Sequence, residues 1–220
     1  MPLAIRLRHD PVQAPPPVAD TVVRRETDAA LMAGIQGRTV EEMRLRLDAG
    51  HRPYVAWRGG EAAAWGWVAT RSAEIGETRS TFAVAAGERY LWNFVTAAAH
   101  RGLGIYPRLL DAIVRAESRE AERFWIAWAP ENHASGSGIR KAGFVAVAEL
   151  SFDAEGRPAL RDILTGGASL ATRMLAVPAA TEELARCWRC VRAAAAGEPM
   201  RCSAGSCRCD YQRPERGCAA

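Results

Sequence analysis

Lysine is almost absent from this 220-residue chain: Lys141 is the only one, although lysine and arginine together number 29. The positive charge is thus nearly all arginine, and with the long alanine runs this reads as a compositional bias rather than a function. Cysteine is absent from the first 186 residues, and all six fall in the remainder: Cys187, Cys190, Cys202, Cys207, Cys209 and Cys218. A secreted disulfide scaffold spreads its cysteines through its core, so the distribution excludes that class for the main body and marks a separate C-terminal unit. No stretch approaches the roughly 18 uncharged apolar residues needed to span a bilayer. Arg6, Arg8 and His9 stand near the start, but no apolar segment of the secretory type follows. A cytoplasmic protein without a membrane partner is the expectation. A net charge of +4 suits an anionic cofactor and makes no case for nucleic acid. An apolar fraction of 49% with 25% charged residues is that of a globular domain with appendages.

Leu3–Leu7 alternates weakly and reads as a short strand or an arm, and the proline-rich residues 11–17 as an extended linker. Thr21–Arg25 is the first firm strand pattern. Leu31–Ile35 is a short helical piece ending near Gly37, and Thr39 with Glu41 and Glu42 caps a second helix whose buried side is expected from Val40, Met43, Leu47 and Leu45 and which closes at Gly50. Strands are predicted over 53–57 and 63–70, joined by the tight turn Gly59–Gly60. After a Gly-, Ser- and Glu-rich connection, 89–96 is the clearest strand, with Tyr90, Trp92, Phe94 and Thr96 alternating against Leu91, Asn93 and Val95. A helix carrying Leu109, Leu110, Ile113 and Val114 follows, then a strand over 124–129, a short helix over 132–141 and a strand over 144–152. The order predicts an α+β fold: a twisted mixed sheet, largely antiparallel, flanked by helices.

The segment Tyr90 to Leu110 runs from strand through a glycine-containing loop into a helix. Free N–H groups at such a helix start, with the aligned peptide dipoles, favour an anion. Gly102 and Gly104 let a phosphate approach backbone that a Cβ would screen, and Arg101 and Arg108 add charge. Two glycines that merely shape the turn are the plainer alternative.

Arg101-Gly102-Leu103-Gly104 resembles motif A of the GCN5-related N-acetyltransferase (GNAT) family, Arg/Gln-x-x-Gly-x-Gly/Ala. Asn132-His-Ala-Ser135, followed by Lys141-Ala-Gly143-Phe144, is similar to that family's Asn-x-x-Ser…Lys-x-Gly-Phe pattern. Both lie in the family's order and spacing, and the resemblance covers about residues 21–152. Two positions depart from it. Tyr106 stands where the motif ends in Gly or Ala, and Ile139 occupies the place of the family's frequent tyrosine acid.

The resemblance implies an N-acyltransferase that moves an acetyl or other acyl group directly from acetyl-CoA to the amine of a small molecule or protein. Arg101, Gly102, Leu103, Gly104, Ile105 and Tyr106 would hold the pyrophosphate, while Phe94, Val95 and Thr96 would face the pantetheine arm. A backbone N–H at Val95 or its neighbours would stabilise the oxyanion. Asn132 would contact the cofactor arm or simply cap its helix. Tyr106 would protonate the leaving thiolate or pack beside the cofactor. Asn93 stands where the family often has a carboxylate, which leaves Glu88, His100, Glu131, His133 or ordered water to accept the amine's proton. Trp57, Trp65, Trp67, Trp92, Trp125 and Trp128 either line an acceptor pocket or pack the sheet.

In the tail, Cys187 and Cys190 share a helical face ahead of Cys202, Cys207, Cys209 and Cys218. Thiolates at these spacings suit zinc or an iron–sulfur cluster, against an unliganded or disulfide-linked tail. The organisation expected is an arm and linker over 1–20, the acyltransferase domain over 21–152, a connecting segment over 153–180 that completes the sheet or merely links, and the cysteine-rich tail over 181–220. A rival reading is a catalytically silent acyl-CoA-binding module that recruits a partner through a metal-binding tail. Nothing in the sequence specifies an oligomeric state.

Overall fold

In the computed structural model, which describes residues 1–76, 80–153 and 157–180, the strands are β1 (Pro2–Leu7), β2 (Thr21–Arg25), β3 (Arg52–Arg58), β4 (Glu61–Ala69), β5 (Ser72–Ile75), β6 (Ser80–Ala83), β7 (Glu88–Thr96), β8 (Arg123–Ala127), β9 (Val145–Phe152) and β10 (Pro158–Asp162). The helices are α1 (Ala29–Gln36), α2 (Val40–Asp48), α3 (Ile105–Glu117), α4 (His133–Lys141) and α5 (Gly167–Leu175). Eight strands make one sheet in the order β10-β9-β1-β8-β7-β4-β3-β2, and β5 with β6 forms a separate hairpin. Only the pair β7–β8 is parallel in that sheet. The α+β expectation holds: a mixed, mainly antiparallel sheet with helices on both faces.

One face carries α3 and α4, whose Ile105, Leu109, Leu110, Ile113 and Ile139 pack on Ala4, Tyr54, Leu91, Phe124 and Ile126. The other is covered in two places. Met32 of α1 and Met43 of α2 cover Val55 and Trp67, while α5 and the hairpin cover Leu3, Tyr90, Trp125 and Leu150. Leu45, expected on the buried side of α2, is exposed. Interior strands therefore bury both faces, which is why β3 reads as a nearly continuous apolar run over Tyr54, Val55 and Ala56. The helix starts are local in origin. Asp28 accepts from the amides of Ala30 and Leu31, Thr39 from Glu42, and Asn132 from Ser135.

Three further sequence expectations change. The stretch read as a strand or an arm is an interior strand: β1 pairs with β8 on one side and β9 on the other, so the boundary expected at residue 21 does not describe the sheet. Its side chains alternate, Leu3 and Ile5 toward α5, Ala4 and Arg6 toward α3. The connection after β4 holds the β5–β6 hairpin, whose Ala73, Ile75 and Phe82 are buried under α5. Its strands are too short and too interrupted by polar residues to carry a periodic signal.

The third change is in β7. Leu91 faces α3 and Trp92 the opposite layer, as alternation demands, but Asn93 is left-handed (φ 54°) and the register to β4 shifts there. This β-bulge moves Phe94 off the face of Trp92 and onto the helical face, where its ring lies over Gly66. A Cβ on Gly66 would stand 2.1 Å from that ring, so the small residue is required opposite the bulge.

Beyond β10 the chain continues into α5, which packs on β9 and β10. Residues 8–20, the proline-rich stretch, cross the outside of α4 and α3 to reach β2. Pro15 is buried there, and its carbonyl accepts from Arg108 Nη1 at 3.1 Å. Among the described residues no helix is long and apolar enough to cross a membrane.

The interior position of β1 brings a charge with it. Arg6 Nη1 donates to Asp111 Oδ1 at 2.9 Å and to the Ala142 carbonyl at 2.8 Å, with side chains only 6% and 10% exposed. Breaking such a buried pair leaves an uncompensated charge, which costs about 3–5 kcal/mol. Asp111→Ala should lower the unfolding free energy by about that amount in urea denaturation. Arg6→Met combined with it should recover most of the loss.

Candidate functional site

Strands β7 and β8 run in parallel and pair only over Glu88–Leu91 against Arg123–Ile126. Beyond Leu91, β7 continues to Thr96, while β8 ends at Ala127 and Pro130 follows. The edge of β7 from Trp92 to Thr96 has no strand beside it on that side among the described residues, although β4 still pairs with it on the other. The two strands part, and the bulge at Asn93 sits at the point of parting. Phe94, Val95 and Thr96, expected beside a pantetheine arm, occupy this open edge.

The chain then passes through a 3₁₀ turn (Ala98–His100) and the loop Arg101–Gly104 into α3. Gly104 is the N-cap at φ 76° and Gly102 lies at φ 77°, both in the left-handed region that favours glycine. No side chain caps α3, and among the described residues no protein group accepts from the amides of Gly102, Leu103, Gly104, Ile105 or Tyr106. Uncapped amides at a helix start are an anion-binding arrangement. Gly102, Leu103 and Gly104 line a cleft of about 990 Å³ together with Arg140, Lys141 and the strap Asp10–Val18.

The other expected site residues divide. Arg101 is exposed and donates back to the Thr96 carbonyl at 3.2 Å, and Ile105 is buried in the core under α3. Asn132 is exposed, with its side-chain oxygen occupied by the α4 cap at 3.0 Å from the Ser135 amide. Ile139 is fully buried among apolar neighbours.

Tyr106 projects between α3 and α4 over Gly138, where a Cβ would come within 2.4 Å of its ring. Its ring centre lies 5.6 Å from that of Phe94, and its hydroxyl is 3.3 Å from Ser135 Oγ. A tyrosine is thus delivered to the parting strands from α3, beside the position where α4 carries Ile139. Burial, only partly offset by the Ser135 contact, pushes its phenol up to about 12.

On the opposite face the parting strands open into a second cavity of about 430 Å³. Trp92 and Asn93 of β7, the backbone turn after β8, Arg38, Arg46 and Glu74 line it, while the Trp128 indole itself turns to the helical face beside Gly136 of α4. None of these three charged residues was singled out from sequence. They come from the α1–α2 turn, from α2 and from the β5 hairpin, and no spacing along the chain signals that they meet.

Of the expected proton acceptors, Glu88 is tied to Arg123 and to the indole N–H of Trp125 at the far end of β7. His100 lies 3.6 Å from Glu61 on the loop, while Glu131 and His133 are exposed at the start of α4. The tryptophans also divide. Trp67 and Trp125 are fully buried, Trp57 donates to Glu26, Trp65 packs on the α1–α2 cluster, Trp128 turns to the helical face, and only the Trp92 indole lines the cavity. The six cysteines lie outside the described residues.

An ordinary tyrosine titrates near 10, so between pH 10 and about 12 the unfolded chain releases a proton that folded Tyr106 keeps. Its contribution to stability is present below pH 10 and is lost as pH rises toward 12. Tyrosinate absorbance, wild type minus Tyr106→Phe, should therefore show a transition near 12 rather than 10.

The model of the acetyltransferase (GNAT) family matches residues 23–144. No curated protein matches the chain. Similar solved structures include a GCN5-related N-acetyltransferase from Kribbella flavida (14% identity over 66% of this chain and 53% of that one, TM-score 0.44). Another is a GNAT-family acetyltransferase from Colwellia psychrerythraea (14% identity, 66% and 52%, TM-score 0.46). A third is a GNAT-family acetyltransferase from Streptococcus pneumoniae (17% identity, 61% and 89%, TM-score 0.45). The chain spans about half the length of the first two. The family match covers more than half of this chain, from β2 through the glycine loop to the end of α4. The chain belongs to the GNAT acetyltransferase family.

Proposed function

We propose that the chain is an acyl-CoA-dependent N-acyltransferase that takes acetyl-CoA as cosubstrate and acetylates an amine. One observation carries the reading: an open strand edge at Trp92–Thr96 leads directly into unsatisfied amides at Gly102–Tyr106. A diphosphate on those amides leaves its pantetheine arm free to lie along the edge of β7, in the gap where β8 has turned away. Arg140 and Lys141 add positive charge to the same cleft, and the proline-rich strap closes its outer side.

The amine nitrogen attacks the thioester carbonyl, the C–N bond forms and the C–S bond breaks. The ammonium has to lose a proton first, and the departing sulfur gains one. Tyr106 is the proton donor to sulfur in this scheme. Its phenol is protonated at neutral pH, as an ordinary tyrosine's is, and its ring lies against Phe94 of the open edge. The bulge at Asn93 turns backbone N–H groups out of the ladder, and one at or near Val95 is the candidate donor to the oxyanion. Pairing with Ser135 Oγ supplies a hydroxyl relay through which Tyr106 recovers its proton from solvent.

Isothermal titration should detect CoA binding to the wild type, and Gly104→Glu should abolish it while leaving the melting temperature within a few degrees. A carboxylate there would stand against the diphosphate. Absence of CoA binding at millimolar concentration would overturn the proposal, and binding without CoA release on any amine would favour a silent binding module instead. Tyr106→Phe should lower kcat by about 10²-fold or more with little change in the KM for acetyl-CoA. Serine at 139 should not restore the rate.

A further inference from the structure

The second cavity carries an arrangement of charge that specifies more than an amine. Arg46 lies over two indole rings, its guanidinium carbon 5.3 Å from the centre of Trp67 and 5.0 Å from that of Trp92. Stacking fixes its plane but leaves its N–H groups to be matched. Its nearest carboxylate is Glu42, at 3.7 Å, and it reaches Gln36 Oε1 only at 3.5 Å. Arg38 is in the same position, 3.9 Å from the same Glu42 oxygen. One carboxylate held loosely by two guanidinium groups leaves both with donors directed at nothing closer, and both side chains line the cavity.

The same cavity also holds the complementary sign. On β5, Ala73 and Ile75 turn inward to the core, so alternation points Glu74 outward into the cavity. Among the described residues Glu74 makes no hydrogen bond or ion pair. Trp92 lines the same cavity, and its indole N–H is buried without an acceptor. A buried donor without a partner is costly, which favours a ligand or water that supplies an acceptor there.

Resting on the transferase reading above, we infer that the acceptor is a carboxylate-bearing primary amine of amino-acid size. Its carboxylate would pair with Arg38 and Arg46, and its ammonium would be held and deprotonated by Glu74 at the parting of β7 and β8. About 430 Å³ admits a molecule of that size and leaves the Trp92 indole to an apolar side chain. A polycationic acceptor meets two unmatched guanidinium groups at this site, and an uncharged ester loses both of their charge-assisted bonds. The reaction balances without a further reactant. Glu74 takes one proton from the ammonium, the freed nitrogen forms the C–N bond and releases its second proton to solvent, and the C–S bond breaks. Sulfur takes a proton from Tyr106 and leaves as the thiol, and Tyr106 recovers a proton through Ser135.

The full-length protein with acetyl-CoA should be assayed by chromatographic detection of released CoA. The amines are L-phenylalanine, L-methionine and L-glutamate, the methyl ester of each, and spermidine. At least one amino acid should be turned over with a kcat/KM roughly 10²-fold above its ester, from two hydrogen bonds to charge. Arg38→Gln lies on an exposed side chain and should not disturb folding. It should reduce that ratio about tenfold, and Arg46→Lys should reduce it as well, whereas Glu74→Gln should lower kcat and raise KM for acid and ester alike. Preference for the ester or for spermidine, or Arg38→Gln leaving the ratio unchanged, would overturn the inference. Isothermal titration of the same amino acids into the CoA-bound protein separates the two claims. Binding without turnover contradicts the transferase reading alone, and turnover of spermidine without amino-acid binding contradicts this inference alone.

Discussion

The structure depends on the failure of two parallel strands to stay paired. β7 and β8 keep their ladder for four residues each and then diverge, because the left-handed Asn93 and its β-bulge rotate β7 away from its neighbour while β4 continues to hold the other side. A sheet interrupted at its centre would ordinarily leave unsatisfied backbone in the interior. Here the interruption opens to solvent on both faces, and each opening is furnished. On the helical face the strand delivers the chain into the glycine loop and the bare start of α3. On the other face it opens onto Trp92, Arg38, Arg46 and Glu74. A donor and an acceptor that approach from opposite faces meet only at such a gap.

The rest of the fold stabilises that gap. With β8 released from β7 at its far end, the strand is held from its other side by β1, which pairs with it along its whole length. The Arg6–Asp111 pair ties β1 to α3, and the strap that follows β1 ties itself to α3 again through Arg108 and Pro15. The N-terminal residues thus brace both the strand and the helix that flank the glycine loop. At the opposite end of the sheet, where β7 and β8 do pair, Glu117 gathers Arg52, Arg89 and the Tyr54 hydroxyl, which fixes the base from which the strands diverge.

Tyr106 shows how a departure from a family pattern is absorbed locally. A bulky residue replaces the small one that usually ends the glycine motif, and Ile139 replaces the usual tyrosine on α4. The two changes are spatially coupled. Gly138, next to Ile139, makes room for the Tyr106 ring, so an aromatic hydroxyl reaches the helical face of the gap from the neighbouring helix.

The sequence by itself determined what depends on short-range order. Helix starts at Thr39 and Asn132, the glycine loop after β7, the amphipathic face of α3 and, the β5–β6 hairpin apart, the order of strands and helices from β2 to β9 are written in contiguous patterns of caps and periodicity. Only the tertiary structure decided what depends on residues far apart in the chain. It placed Pro2–Leu7 inside the sheet, since a short apolar run pairs with whichever strands are exposed to it, and nothing local names β8 and β9. It turned Phe94 to the face opposite the one alternation predicts, because a bulge depends on the partner strand's register as well as on the residues that bulge. It also brought Arg38, Arg46 and Glu74 around one cavity from three elements. Charges of that kind are invisible in sequence because each, taken alone, is an ordinary solvated side chain.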